Sequence, residues 1–319
     1  MNKICYILVI TILMTSSYCA GSEAVKSLVP DAEKIVLNGL KSPDGRIRAN
    51  AVEVVASGQK IEMMPKVAEL LNDADMPVRF AAAVAIGDMQ YKPSEKKLVQ
   101  LLKDSDLNVV IAAAYALCKM SNPDYLKMIE SAAGTDDQTV KANAAMLLGK
   151  LKSKRSLRLL YSLKDNPDAS NIVAFNAVEA IARIGDEKIY SKIWTMLISV
   201  YADDRYFGSH AMGALGGIKG ANAIITLLDD DVVEVRLAAA KELGMLGDNS
   251  GQIVVLEYLN SPESADKDTI DRRNTLAALA IGQIGTEALT AHLPKLLKND
   301  SQFVRLAAAK SVFILAKGK

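Results

Sequence analysis

Few side chains in this sequence could do chemistry, and their spacing narrows the field further. Only two histidines occur in 319 residues, His210 and His292, and they are followed by Ala211 and Leu293. A zinc site of the usual kind takes three or four Cys, His or carboxylate ligands at close spacing, and neither histidine has such company. Of three cysteines, Cys5 and Cys19 lie near the N-terminus, and Cys118 ends the apolar run that begins at Ala112. No base or cationic cluster neighbours Cys118, so it reads as a buried structural thiol. The Gly-rich piece Gly208–Gly217 follows no strand and lacks a phosphate-binding Lys, so it reads as glycines that let helices approach closely. Asp73 with Asp75, Asp104 with Asp106, and Asp229–Asp231 lack the glycine and distal glutamate of a calcium loop. Their recurrence ahead of helical segments is what capping predicts. With no catalytic constellation visible, the sequence reads as a non-enzyme with no cofactor and no metal.

Side chains suited to binding are concentrated in one place. Seven of the 16 aromatics fall between Tyr161 and Phe207. Trp, Tyr and Arg dominate interaction hot spots, so Trp194, Tyr201, Arg205, Tyr206, Phe207 and His210 are the candidate partner-binding residues. The same rings could instead fill an irregular packing step, since buried aromatics commonly serve packing. Arg48, Arg79, Arg236 and Arg305 recur once per repeat and read as a ladder of Arg–Asp pairs between adjacent turns. Lys150, Lys152, Lys154, Arg155 and Arg158 read as a solvated basic face. Overall, 38 basic residues face 37 acidic ones. So even a balance gives no electrostatic footprint for nucleic acid and no bulk attraction to anionic membranes.

The elements that position these residues repeat. Val235–Lys241 (Val-Arg-Leu-Ala-Ala-Ala-Lys) returns unchanged at Val304–Lys310, with weaker copies at Ile47, Val78 and Val109. Ile47, Val78, Val109 and Val140 are 31 residues apart; Val173, Phe207, Val235, Arg273 and Val304 continue the series less evenly. Within one copy Val235, Ala238, Ala239, Leu243 and Leu246 fall on one helical stripe. A shorter Leu-rich helix precedes each, as at Lys66–Leu71 and Lys97–Leu102. Asp44, Asp75, Asp106, Asp137 and Ser301 stand where N-caps are needed, and Pro77 suits a first turn. Gly87, Gly149, Gly185, Gly244 and Gly282 are expected to be left-handed stops. The chain is 50% hydrophobic but only 5% aromatic, so Ala, Leu, Ile and Val must build the core.

The Asp-x-x-Val-Arg-x-Ala-Ala-Ala-x-x-Leu-Gly strings, clearest at Asp75–Gly87 and Val235–Gly244, resemble short bacterial HEAT-like repeats related to those of the phycobilisome lyases. That resemblance implies an all-α fold, a right-handed α-α superhelix of about nine helical hairpins. The pairs are expected to end near 58, 91, 121, 152, 186, 219, 248, 286 and 317, with residues 21–319 forming one solenoid. It also implies that the second helices line a concave, partner-binding side. HEAT-like proteins that hydroxylate a modified lysine carry His-Glu pairs, and this sequence has none. The functional expectation is a non-catalytic scaffold for a protein or peptide partner; the alternative is a bilin-lyase-like enzyme or tetrapyrrole-binding protein.

Residues 1–20 are read as a signal peptide. Lys3 precedes an apolar run, Ile4–Met14, too short to span a bilayer, and Thr15–Ala20 gives a cleavage region. Cys19 is a candidate lipidation site, which would anchor the chain to a membrane. The expectation is therefore an exported monomer, periplasmic or secreted, or else lipid-anchored in the cell envelope.

Overall fold

The structure is a computed structural model that describes residues 23–120, 122–261 and 264–318. Met1–Ser22, and with them the expected signal peptide and Cys19, lie outside the described residues. The chain runs α1 (Val29–Gly39), α2 (Gly45–Ser57), α3 (Met64–Glu69), α4 (Met76–Asp88), α5 (Glu95–Leu101), α6 (Leu107–Lys119), α7 (Leu126–Ala132), α8 (Gln138–Lys150), α9 (Leu157–Asp165) and α10 (Asn171–Ile184). It continues through α11 (Tyr190–Leu197), α12 (Ala202–Leu215), α13 (Gly217–Ile225), α14 (Val233–Met245), α15 (Gln252–Asn260), α16 (Lys267–Ile284), α17 (Glu287–Thr290), α18 (Leu293–Leu296) and α19 (Gln302–Lys317). No strand occurs among the described residues. The fold is the expected all-α superhelix. The long second helices, α2, α4, α6, α8, α10, α12, α14, α16 and α19, pack side by side in order, and the shorter helices lie between them.

Capping sets most of the second-helix starts. Asp44, Asp106 and Asp137 accept backbone N–H groups at the starts of α2, α6 and α8, as expected. Asp75 sits at the N-cap of α4 but makes no capping bond. Pro77 occupies the second position of that helix and removes an N–H that the cap would have received. Ser301 likewise makes no capping bond.

The glycine expectation holds only at Gly185, which ends α10 with φ 87°. Gly87, Gly149, Gly244 and Gly282 lie inside their helices instead, where they let the next helix come close. A Cβ on Gly149 would stand 2.6 Å from the Ala180 backbone. These glycines are contact points between repeats, which sequence spacing alone could not distinguish from helix ends.

The ends of the superhelix meet. Helix α19 packs against α1 and α2, as one repeat packs on the next. Leu306 fills the space beside Gly39, Phe313 lies against Gly58, and the Lys60 ammonium sits 4.5 Å over the Phe313 ring. Lys310 Nζ donates to Glu53 at 2.8 Å. One continuous hydrophobic core includes both Val36 and Val55 near the start of the chain and Val304 and Phe313 near its end. A second core runs from Ile111 to Leu243 and completes the circuit. The apolar faces that a solenoid must cap at its termini are therefore buried against each other.

Candidate functional site at the centre of the ring

Two sets of charged residues are built on the second helices, and they differ in kind. The first is the ladder along the turns. Arg48 donates to both carboxylate oxygens of Asp73, at 2.8 and 2.6 Å, and to the Ser42 carbonyl at 2.8 Å. Arg79 repeats the arrangement on Asp104 at 2.9 and 3.0 Å and on the Asp73 carbonyl at 2.9 Å. Arg205 does so on Asp230 at 2.6 and 2.8 Å and on the Ser199 carbonyl at 3.1 Å. Arg236 and Arg305 bond the turn carbonyls of Asp230 and Asp300 at 2.8 and 2.9 Å. Burial pushes the carboxyls of Asp73, Asp104 and Asp230 up, but their arginine and backbone donors outweigh it and hold them below the usual range.

The second set faces inward. Glu53, Tyr115, Glu179, Lys241 and Lys310 each fall six residues after the residue that opens the stripe in their repeat (Ile47, Val109, Val173, Val235, Val304). Burial would raise the Glu53 carboxyl, but Lys310, with Lys150 and Lys241 beyond it, holds it below the usual range. Those lysines come from α19, α8 and α14, so repeats far apart in sequence converge on one point. The Glu53 side chain is nonetheless 64% exposed. The point of convergence is thus a solvent-reached space enclosed by protein: the lumen of the ring. Beside it Lys150 pairs with Asp88 at 3.0 Å, and the buried Tyr115 hydroxyl donates to the same carboxylate. Burial and Asp88 together push the Tyr115 phenol up.

Between α12 and α14 the lumen wall carries a triad. Glu242 Oε1 lies 2.6 Å from His210 Nδ1 and 2.7 Å from Lys241 Nζ. Glu242 is 3% exposed. Burial pushes its carboxyl up, and His210 and Lys241 more than offset this. The equivalent register position is uncharged in other repeats: Ala85, Ala116, Ala180, Ala280 and Ser311 are small, and Val54 and Leu147 are apolar. A Cβ on Gly213 would meet Glu242 Oε2 at 2.4 Å, so the glycine makes room for the carboxylate.

The six candidate binding residues do not form one surface. Trp194 and Tyr201 are exposed at 37% and 71% near the turn rim, close in sequence to the exposed Ile198 and Val200. Arg205 belongs to the ladder. Tyr206 packs edge-on against His210, with ring centroids 4.7 Å apart, and Phe207 stacks on Phe175 at 4.5 Å. Burial, aided by Glu242, pushes the Tyr206 phenol up. His210 alone of the six is part of the central charge cluster.

The basic run divides in the same way: Lys150 turns to Asp88, whereas Arg155 pairs with Glu130 at 2.8 Å. Burial pushes the Cys118 thiol up to about 11, against any role as a ready nucleophile. The residues that sequence reading missed are Glu53, Asp88, Lys241, Glu242 and Lys310, and Lys150, expected on a solvated face, pairs with Asp88 instead. Their signal was present: a charge on the inner register of a second helix, and one glutamate where other repeats keep an uncharged residue, mostly alanine.

A sequence model of HEAT repeats matches residues 64–143 and again 95–171. The chain is a HEAT-like repeat protein. No curated protein matches it in sequence. Among solved structures, this HEAT-like chain is similar to the complex of CpcE and CpcF of phycocyanin lyase from Nostoc sp. PCC7120, at 18% identity and TM-score 0.44, covering 77% of this chain and 93% of that one. It is also similar to human deoxyhypusine hydroxylase, at 16% identity and TM-score 0.41, covering 82% and 98%. A Kap121p mutant matches at 13% identity and TM-score 0.35, covering 88% of this chain and 37% of that one. These likenesses concern the fold. They correct one expectation: two of these structures are by name enzymes, so the lack of a recognisable catalytic motif does not make a HEAT-like chain a non-enzyme.

Proposed function

We propose that this HEAT-repeat scaffold binds a protein or peptide partner through its second helices, at the lumen of the ring. The observation that carries the reading is the Lys310–Glu53 pair, which joins α19 to α2 at 2.8 Å around a carboxylate that solvent still reaches, with Lys150 and Lys241 near enough to help lower the same carboxyl. Charges gathered from distant repeats do little for the packing of any one repeat, yet they make a preorganised polar surface inside a rigid frame. The test is photo-crosslinking in the native host. Met245, 56% exposed, stands ten residues after Val235, the register of Asp88, Lys150 and Arg183 in their own repeats. Ile253, 64% exposed, lies on the outer helix α15. A photoreactive residue at 245 should capture the partner and one at 253 should not; capture only from 253 would sink the reading.

The second reading, a bilin-lyase-like enzyme or tetrapyrrole-binding protein, draws on the same lysines, which suit the carboxylates of a tetrapyrrole. A bilin titration followed by absorbance tests it: no spectral change and no adduct would remove it. Export is part of the same proposal, supported by the residue pattern of Met1–Ala20, with acylation at Cys19 as its anchored form. Intact mass of the natively expressed protein checks both. A monomeric state is supported by the mutual burial of the terminal repeats and is checked by light scattering.

A further inference from the structure

Two features of the lumen bear on what it binds. The first is that a carboxylate already sits there. Glu53 reaches into solvent from α2, accepts from Lys310 at 2.8 Å, and lies in the field of Lys150 and Lys241. The second is the triad. A buried glutamate among alanine positions is costly, since a well-packed apolar residue would serve stability as well or better. What it achieves is placement: a single oxygen of Glu242 gathers the His210 ring and the Lys241 ammonium to within 3.5 Å of each other. With Nδ1–H donating to Glu242, the ring nitrogen Nε2 makes no hydrogen bond among the described residues. Lys241 has three N–H donors, and Glu242 draws on the ammonium from only one side. Departures of this kind from a protein's own repeat pattern mark functional positions.

We propose that the lumen is a carboxylate-binding site in which Lys150, Lys241 and Lys310 supply the positive field, Glu242 positions His210 and Lys241 as the anchoring pair, and Glu53 occupies the place that the ligand's carboxylate takes. The ligand class is an acidic one, either a free dicarboxylate or the acidic segment of a peptide. On binding, its carboxylate replaces that of Glu53 on Lys310, and Glu53 swings into solvent. The proposal deepens the lumen-binding reading and rests on it.

The experiment titrates the full chain at low salt with two probes, succinate and a capped tetraglutamate peptide, by calorimetry. Wild type, Glu53→Gln and Lys241→Gln are compared. Glu53→Gln removes the resident charge and should tighten binding of at least one probe about tenfold, equivalent to about 1.4 kcal/mol. Lys241→Gln should weaken it by a similar factor. Tightening for succinate alone assigns the site to a small carboxylate, and for the peptide alone to an acidic segment. A second measurement needs no variant: the chain has two histidines, so ring NMR signals of His210 can be followed with His292 as internal control. Saturable shifts at His210 alone are expected. Equal affinities for wild type and Glu53→Gln, or shifts common to both histidines, would overturn the proposal. Capture from position 245 with no carboxylate effect would remove only this inference, whereas capture from 253 alone would remove the lumen reading beneath it.

Discussion

Arg79 on the turn rim and Lys241 in the lumen each meet a carboxylate within 3 Å, at 2.9 Å for Asp104 and 2.7 Å for Glu242. Their surroundings make them different things. The Arg79 guanidinium donates to both Asp104 oxygens and to two turn carbonyls, leaving little capacity for anything else. The same arrangement recurs at Arg48 and Arg205, each, like Arg79, the fourth residue of its helix. Lys241 shares one carboxylate oxygen with a histidine, in a register that varies from repeat to repeat: Glu53, Glu179 and Lys310 are charged there, and Val84, Met146 and Leu279 are not. A charge that meets the same kind of partner in repeat after repeat belongs to the fold, and a charge whose partner changes from one repeat to the next marks a site.

The largest effect expected from breaking that comparison is on the rim. Arg79→Ala leaves Asp104, whose side chain is only 10% exposed, without its bidentate partner, and frees two carbonyls of the preceding turn. A loss of about 2–3 kcal/mol is expected, below the full cost of an isolated buried charge because water reaches the turn. Urea unfolding measures it; a change under about 0.5 kcal/mol would mean that the ladder is decoration.

The lumen triad should behave as a coupled unit of intermediate size. Gly213→Ala alone drives a methyl to 2.4 Å from Glu242 Oε2 and should destabilise by about 1–3 kcal/mol. Glu242→Ala restores the small residue found at that register in other repeats and removes the clash. The double variant should recover at least about 1 kcal/mol of the loss expected from adding the single effects. Strict additivity would show that Gly213 is not there to admit the carboxylate.

Acid separates the two sets more gently. The carboxyls of Asp73, Asp104 and Asp230 lie below their ordinary value of 3.8 in the folded state. A lowered folded value stabilises the protein fully above the unfolded value, and that contribution is lost as pH falls through the folded one. Stability should therefore be insensitive to these groups from pH 7 down to about 5 and fall below about 4. Arg79→Ala removes the main donor to Asp104, so its denaturation midpoint should fall less steeply over that acid window. An unchanged slope would contradict the assignment.

The repeat, the helical fold and the ladder at Arg48 and Arg79 were legible in the sequence because each depends on local spacing. Asp–x–x–Val–Arg places cap, stripe and guanidinium within one turn of chain. Ring closure was not legible, because it depends on small rotations between repeats accumulated over the whole chain, which no single repeat encodes. The lumen cluster was hidden for the same reason: Glu53 and Lys310 are 257 residues apart and become neighbours only through closure. Gly149 has the sequence signature of a helix stop but lies inside its helix against Ala180, because a glycine required by a neighbouring helix and one required by a backbone turn look alike in sequence. Arg205 neighbours several aromatics in sequence, but its 25-residue offset to Asp230, the same as Arg79 to Asp104, is the mark of the ladder.

The smallest stability effect belongs to the contact that bridges the two ends of the chain. Lys310–Glu53 looks like a clasp, but Glu53 is 64% exposed, and an ion pair with one partner in water contributes little. The seam is held by Phe313 against Gly58 and Leu306 against Gly39, whose burial does not depend on charge. Lys310→Ala should therefore change the unfolding free energy by about 0.5 kcal/mol or less, while Phe313→Ala should cost about 3–5 kcal/mol. If Lys310→Ala instead unfolds the seam, seen as rapid amide exchange in both α2 and α19, then the pair is a clasp. The distinction between rim charges that build and central charges that bind would fail at this position.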